Sequence, residues 1–317
     1  LLGTAIARPV LAWGQVDIAK KTGCTAVSHG CTGKGNDQVR FESAYGALAP
    51  ELEIIAPWRD PRWNLSGRLP MLDYLKERNI PTTASATKIY SRDRNLWHIS
   101  HEGGDIENPW NAPPDDAWML TVDPAKAPDK AEEVSLTFVK GRPTALNGKP
   151  LPAWSIIDKL NSIAGAHGVG RIDLVENRRV GMKSRGLYET PGGTVIVEAL
   201  RAVEELVLDR ETLHYREHLG LTFAELVYDG RWFTPLREAL WACAEKIAEK
   251  LDGEIVVRLY KGTATPIKRK SPNSLYAEKM VSFEGEDVYS QKDAGGFIRL
   301  LSLPERIRAL KERGLAK

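Results

Sequence analysis

His29-Gly30-Cys31-Thr32-Gly33-Lys34-Gly35-Asn36-Asp37-Gln38-Val39-Arg40-Phe41-Glu42 gathers three glycines, a lysine and a cluster of polar side chains directly after a short run, residues 24–28, in which Ala26 and Val27 are apolar. A buried strand followed at once by a glycine-rich turn puts that turn at the carboxyl end of an open α/β sheet, where such folds bind ligands. Gly30, Gly33 and Gly35 allow positive φ and close approach of the backbone to a ligand, and the freed N–H groups with Lys34 form a concavity for an anion. The next turn carries Asn36, Asp37 and Arg40 with little apolar content between them. That is equipment for a zwitterion: Asp37 for an ammonium, Arg40 for a carboxylate. An anion cradle beside an amino-acid grip points to ATP-driven chemistry on an amino acid. The spacing matches neither a Walker loop nor a dinucleotide fingerprint, so a turn that merely reverses the chain stays open as the plain alternative.

Working outward, apolar residues recur at helical spacing from Thr4 to Lys21 (Ile6, Val10, Leu11, Ile18), with Thr4 as N-cap and Gly23 just past the end. Pro9 is expected only near the first turn of that helix. On the other side, Leu52, Ile54 and Ile55 form a second strand stopped by Pro57, and residues 69–78 read as a helix closed by Asn79-Ile80-Pro81. Helix, strand, turn, helix, strand is the rhythm of a parallel α/β sheet of which only two strands are present. A domain boundary is expected near residue 80, before the Thr/Ser-rich run 82–87.

Beyond it the elements no longer alternate. Residues 91–114 form a long polar stretch in which Trp97 and Trp110, with Trp118 just beyond, argue for packing rather than disorder. Alternation over 134–140 and then Thr144 to Leu146, ending in a reversal at Asn147-Gly148, predicts antiparallel strands with a type I′ turn. Residues 153–163 predict a short amphipathic helix, 168–188 turns alternating with short strands, and 196–218 one long helical region. Thr234-Pro235 is an N-cap followed by Pro at the first helical position, and Leu236, Leu240, Cys243, Ile247 and Leu251 then form a core stripe. Residues 255–260 and 266–269 close as strands, so the second domain is α+β. At the chain end, Ile307, Leu310 and Leu315 face a charged side in a helix beginning at Pro304. So narrow a stripe is marginal unless docked, either on a sister subunit or back on its own domain.

With 317 residues, 42% hydrophobic and 27% charged, the chain has the composition of a soluble globular protein with room for two cores. Lys plus Arg at 44 against Asp plus Glu at 42 leaves no net field to draw nucleic acid or an acidic membrane, and Lys268-Arg269-Lys270 reads as a solvated turn. Cys24, Cys31 and Cys243 make no disulfide or metal pattern, no apolar run is long enough to span a bilayer, and a cytoplasmic location is expected. His98 and His101, with Glu102 beside them, invite a zinc reading, but no third partner lies at metal spacing and no metal site is assigned. No Ser-His-Asp order surrounds Ser91 or Ser100, so hydrogen bonding rather than nucleophilic attack is expected of them. Glu176 ends an apolar strand amid charges and glycines. It is placed to orient a substrate ammonium, with Tyr188 to donate to a carbonyl; an Arg171–Glu176–Arg185 salt-bridge network is the structural alternative.

Several of these runs carry a resemblance. The 29–42 stretch, Leu2-Gly3-Thr4, Ala56-Pro57-Trp58-Arg59, residues 95–100 and 167–188, Ala224-Glu225-Leu226-Val227-Tyr228 and Ser274-Leu275-Tyr276 together resemble the argininosuccinate synthase family over nearly the whole chain. The resemblance implies a truncated Rossmann-like parallel-sheet nucleotide domain of the ATP pyrophosphatase type (residues 1–80). Beyond that domain it implies an α+β synthetase and oligomerisation domain (81–292) and a C-terminal helical arm (293–317). It implies ligation of L-citrulline to L-aspartate with ATP through a citrullyl-adenylate, with Mg2+ on the pyrophosphate and a homotetramer built through the second domain and arm. Carried over residue by residue, Gly30 resembles a position at the ATP phosphates and Thr32, Asn36 and Asp37 the aspartate contacts. Asn36, Arg40, Ser91, Ser100, Glu176 and Tyr188 resemble the citrulline contacts, and no acid, base or nucleophile is implied. Ala5 stands where the family often has a citrulline-touching Ser. The chain opens Leu1-Leu2 with no initiator Met, and the family's S-G-G-x-D-T-S pyrophosphate loop does not occur in it. The expectation from the sequence is therefore a fragment inactive alone, or else a non-catalytic amino-acid-binding or oligomerising module.

Overall fold

The computed structural model describes residues 2–65, 67–82, 90–282 and 290–315. Contacts separate the chain into Leu1–Asn273 and Ser274–Lys317. The larger unit opens with α1 (Gly3–Thr22), β1 (Ala26–Ser28), α2 (Asp37–Leu48), β2 (Glu53–Ile55) and α3 (Arg68–Glu77). β1 and β2 pair in parallel, Val27 opposite Ile54, as the alternation of elements predicts. Gly23, in the left-handed region, ends α1 as expected.

Three expectations for α1 need correcting. Thr4 lies inside the helix rather than capping it, and its hydroxyl sits 3.0 Å from His98 Nε2. Pro9 is the seventh residue of the helix, where it forgoes the hydrogen bond a residue there would donate to Ala5. The buried face is Gly3, Ala5, Pro9, Ala12, Val16 and Ala19, whereas Ile6, Val10, Leu11 and Ile18 are exposed. Small residues bring the α1 and α2 backbones close around Ala44 and Tyr45, so the bulkier apolar row lies on the opposite side.

From residue 91 the order is β3 (Ser91–Arg94), β4 (Ile99–Glu102), β5 (Glu132–Val139), β6 (Arg142–Leu146), β7 (Lys149–Pro150), α4 (Ala153–Ala166), β8 (Arg171–Asn177) and β9 (Lys183–Glu189). Then come α5 (Pro191–Val207), α6 (Arg210–Tyr228), α7 (Pro235–Ala248), β10 (Gly253–Tyr260) and β11 (Thr263–Lys270). Two antiparallel sheets result, ordered β3-β4-β9-β8 and β11-β10-β5-β6-β7. Val134, Leu136 and Phe138 alternate inward from β5 and meet Ile156 and Leu160 of α4, Val203 of α5, and Ile255 and Val257 of β10 in the principal core. Asn147 and Gly148 both have positive φ, which fits the I′ turn between β6 and β7.

Here too the sequence misled at identifiable points. Residues 168–188 form one hairpin of two seven-residue strands, not several short ones. The long helical region divides where Asp209 begins α6 by accepting from Thr212 N, 2.9 Å away. Thr234 and Pro235 start α7 as expected, but no residue of α7 is buried and Leu236 is 52% exposed; of the expected stripe only Leu251, past the end of the helix, enters the principal core. Trp97 packs on the principal core and Trp118 on a small one, whereas Trp110 is 94% exposed. Lys268, Arg269 and Lys270 are exposed but lie in edge strand β11 rather than in a turn. The Thr/Ser-rich run lies outside the described residues after Thr82. The smaller unit holds α8 (Glu278–Val281), α9 (Gln291–Leu301) and α10 (Leu303–Glu312), the last with Pro304 in its first turn. Among the described residues no helix is long and apolar enough to cross a membrane.

Candidate active site

The glycine turn leaves β1 and runs into α2. Contrary to expectation, Gly30, Gly33 and Gly35 do not adopt positive φ. What Gly30 supplies is clearance: a Cβ there would meet nothing within 4 Å, so a ligand atom can approach the main chain. Gln38 holds the turn, its amide donating to the carbonyls of Gly33 (2.8 Å) and Gly35 (3.1 Å). The Lys34 side chain is exposed, while its carbonyl accepts from Arg178 Nη1 at 3.2 Å. Asn36 precedes α2 but does not cap it. Its Oδ1 accepts from Arg179 N (2.7 Å) and its Nδ2 donates to the Tyr228 hydroxyl (2.8 Å).

Asp37 is held from two sides. Arg8 of α1 donates to its Oδ2 at 2.6 Å, and Arg40, one turn along α2, donates from Nη1 to its Oδ1 at 2.9 Å. Arg8 Nη2 also lies 3.0 Å from Asp93 of β3, so one guanidinium bridges two carboxylates from separate elements. Burial alone lowers the pKa of Arg8, but its hydrogen bond and proximity to Asp37 leave it above the usual value and firmly charged. Arg40 is buried, with its Nε on the Tyr228 carbonyl at 2.9 Å and its guanidinium over the Tyr228 ring. Burial, reinforced by Asp37, pushes the Cys31 thiol up to about 11, which removes it as a nucleophile at neutral pH.

The opposite wall comes from the β3-β4-β9-β8 sheet. Ser100 of β4 is the register partner of Asp93 on one side and of Tyr188 on the other, and Ser91 is that of Glu102. Tyr188 donates its hydroxyl proton to Glu176 Oε2 at 3.1 Å. Burial first, then the charge of Glu176, raise its pKa, so the phenol keeps its proton. Burial also lifts Glu102 above the usual carboxylate range, against the pull of Arg178 at 2.5 Å.

These groups enclose a cavity of about 430 Å³. Gly30, Thr32, Asn36, Asp37, Arg40, Ser91, Ser100 and Glu176 all line it, and Tyr188 stands behind Glu176. Sequence reasoning missed Arg8, Asp93, Glu102 and Arg178, which also line it. A signal existed for two of these, because Asp93 and Glu102 each lie two residues beyond a chosen serine on the same strand face. The alternative network around Glu176 does not form: Arg171 donates to Thr121 and Arg185 to Asp173. Nor does the zinc reading hold. His98 meets Thr4, His101 meets Glu189 at 2.7 Å, and no metal-binding group of three occurs among the described residues.

A parallel α/β turn that leaves the main chain open to a phosphate, facing carboxylates, guanidinia and hydroxyls for a zwitterion, defines the class: an ATP-using enzyme that acts on an amino acid. Residues 1–81 match the model of the arginosuccinate synthase N-terminal HUP domain, and residues 90–308 that of the arginosuccinate synthase C-terminal domain. The chain is 60% identical over 313 residues to argininosuccinate synthase of Erwinia tasmaniensis, an alignment covering 99% of this chain and 77% of that protein. It is 60% identical over 312 residues to the Serratia proteamaculans enzyme (98% and 76%) and 59% identical over 313 residues to that of Shewanella woodyi (99% and 76%). The chain belongs to the argininosuccinate synthase family, ligases that form a C–N bond.

Proposed function

We propose that this cavity holds L-citrulline and L-aspartate side by side next to the ATP phosphates, and that the protein ligates them to argininosuccinate with release of AMP and pyrophosphate. The observation that carries the reading is the meeting of residues from α1, the glycine turn, β3, β4 and β8 on one cavity. The ureido oxygen of citrulline attacks the α-phosphorus of ATP, pyrophosphate leaves, and the aspartate amine then displaces AMP from the citrullyl-adenylate. Such chemistry needs alignment and charge neutralisation more than a covalent nucleophile, which suits a site where the cysteine thiol is held protonated.

Each side chain has a task in this reading. Glu176, kept in place by Tyr188, takes the citrulline ammonium; Arg40, Ser91 and Ser100 take its remaining polar groups. Asp37, braced by Arg8 and Arg40, orients the aspartate amine, with Thr32 and Asn36 on the aspartate carboxylates. Gly30 faces the phosphates across open space. Mg2+ would neutralise the departing pyrophosphate. With no protein cage of three ligands among the described residues, phosphate oxygens and water would supply most of its shell.

We further propose a nucleotide domain over residues 1–80, a synthetase domain over 81–292 and an arm over 293–317; the first boundary falls where one family model ends at 81 and the other begins at 90, while the second model runs on to 308 across the start of the arm. The protein is placed in the cytoplasm, supported by three free thiols, as a homotetramer joined through the second domain and arm. The test is Asp37→Ala in the complete enzyme, read by steady-state kinetics. Losing a hydrogen bond to a charged group costs about 1.5–3 kcal/mol, so aspartate use should weaken by roughly ten- to a hundredfold. An unchanged aspartate dependence would overturn the assignment.

A further inference from the structure

The run Ala224-Glu225-Leu226-Val227-Tyr228 stands out in the sequence, yet no ligand role falls to it. In the structure Tyr228 is the last residue of α6 and reaches back to α2 across 192 positions of sequence. Its hydroxyl closes a chain of hydrogen bonds with only one consistent direction. Arg179 N is solely a donor, so the group facing it on Asn36 is the carbonyl oxygen, at 2.7 Å. The Asn36 amide nitrogen therefore points the other way and donates to the Tyr228 oxygen at 2.8 Å. Tyr228, having accepted, donates its own proton to the Asn177 carbonyl at 3.0 Å, with the Glu176 carboxylate also beside its hydroxyl. Both ends of the chain, Asn177 and Arg179, lie where β8 runs into the hairpin turn that closes the cavity.

We propose that Tyr228 is a positioning residue: its hydroxyl fixes the orientation of the Asn36 amide, leaving the second Nδ2 proton free for the two amino-acid substrates. This role rests on the proposed contacts of Asn36 with both amino acids. Arg40 is held by the Tyr228 carbonyl and ring face, neither of which depends on the hydroxyl. Tyr228→Phe therefore removes the orienting bond while keeping the ring beneath Arg40. In its absence Arg179 N is, among the described residues, what restrains the Asn36 amide, and the Asn177 carbonyl loses its Tyr228 donor.

The experiment is a double-mutant cycle with Asn36→Ala, read as calorimetric dissociation constants for citrulline and for aspartate. Tyr228→Phe should weaken both amino acids by about three- to tenfold, the range of one neutral hydrogen bond. Placed on Asn36→Ala it should cost nothing more in aspartate affinity, because the group it orients has gone; citrulline is the less clean reading, since Glu176 also lies beside the hydroxyl. A purely structural role predicts losses that add, and additive losses overturn the proposal. So does unchanged binding in Tyr228→Phe while Asn36→Ala weakens both ligands; in that case the reading of the site survives. If Asn36→Ala itself leaves both affinities unchanged, the assignment of Asn36 fails and the proposal fails with it.

Discussion

Beneath the first turn of α1 an imidazole is walled in. His98 is fully buried, its Nε2 lies 3.0 Å from the Thr4 hydroxyl, and its Nδ1 has no hydrogen-bond partner among the described residues. Gly3 makes this possible, since a Cβ there would come within 2.5 Å of the ring. Burial is the main cause that pulls the His98 pKa down to about 4 from 6.5. The folded protein thus binds this proton only near pH 4, while the unfolded chain binds it below about 6.5. Stability is whole above pH 6.5 and declines as the pH falls toward 4. Denaturation midpoints measured across that window should show the slope in the wild type and lose it in His98→Gln; an equal slope in both would refute the account. Glu189 shifts the other way for a carboxylate of its burial. His101, the main-chain N–H groups of Met119, Leu120 and Thr121 and the Thr121 hydroxyl outweigh desolvation and hold its pKa below 4.5. Its contribution is present above pH 4.5 and is lost only as the pH falls through that lowered value, so the His98 slope comes first on acidification. The two histidines suggested zinc from spacing alone. What spacing could not reveal is that Arg92 donates to His101 Nδ1 at 3.0 Å, which leaves the proton on Nε2 for Glu189.

The end of α6 shows how an element can position a site it does not line. Gly230 has φ of +73°, its N–H returns to Val227 O at 3.2 Å, and Arg231 N returns to Leu226 O at 2.8 Å, a Schellman closure. A Cβ on Gly230 would meet the Arg40 Cα at 2.7 Å, so the stop of α6 and the start of α2 share one tight contact. Gly230→Ala combines a left-handed backbone with a main-chain clash and should destabilise by about 1–3 kcal/mol. Citrulline affinity should fall with it as Arg40 shifts. A thermal midpoint and affinity both equal to wild type would show that the contact relaxes freely. The sequence marks this turn only as an isolated Asp229-Gly230, because the partner that makes glycine obligatory lies far back in the chain, at Arg40. Elements themselves were more legible: β1, β2, α4 and the Asn147-Gly148 turn are readable from local pattern. The faces of α1 and α7 were not, because periodicity identifies a helix but not which side its neighbours cover.

At the scale of the molecule, part of the candidate site was readable from chemistry, in residues 29–42 and at the strand end around Glu176, whereas Ser91 and Ser100 were reached only through the family resemblance. Arg8 and Tyr228 escaped because a lone arginine in a helix and a tyrosine at a helix end acquire meaning only through partners distant in sequence. The smaller unit poses a different question, what its apolar side chains are for. In α9, Phe297, Ile298, Leu300 and Leu301 are all more than half exposed, and α9 and α10 have no buried residue. Helices of 11 and 10 residues are too short to persist on propensity alone, so an exposed apolar row of this size implies a covering surface. A second copy of the chain is the cover expected from the proposed tetramer, with the arm as part of the joint. Replacing Leu300 and Leu301 together by Asp places two charges in that row, each costly to bury unpaired. Light scattering after size exclusion at micromolar concentration should then report a mass below four chains, where the wild type gives four. A four-chain mass in both proteins would remove the arm from the interface, and a one-chain mass in the wild type would remove the tetramer itself.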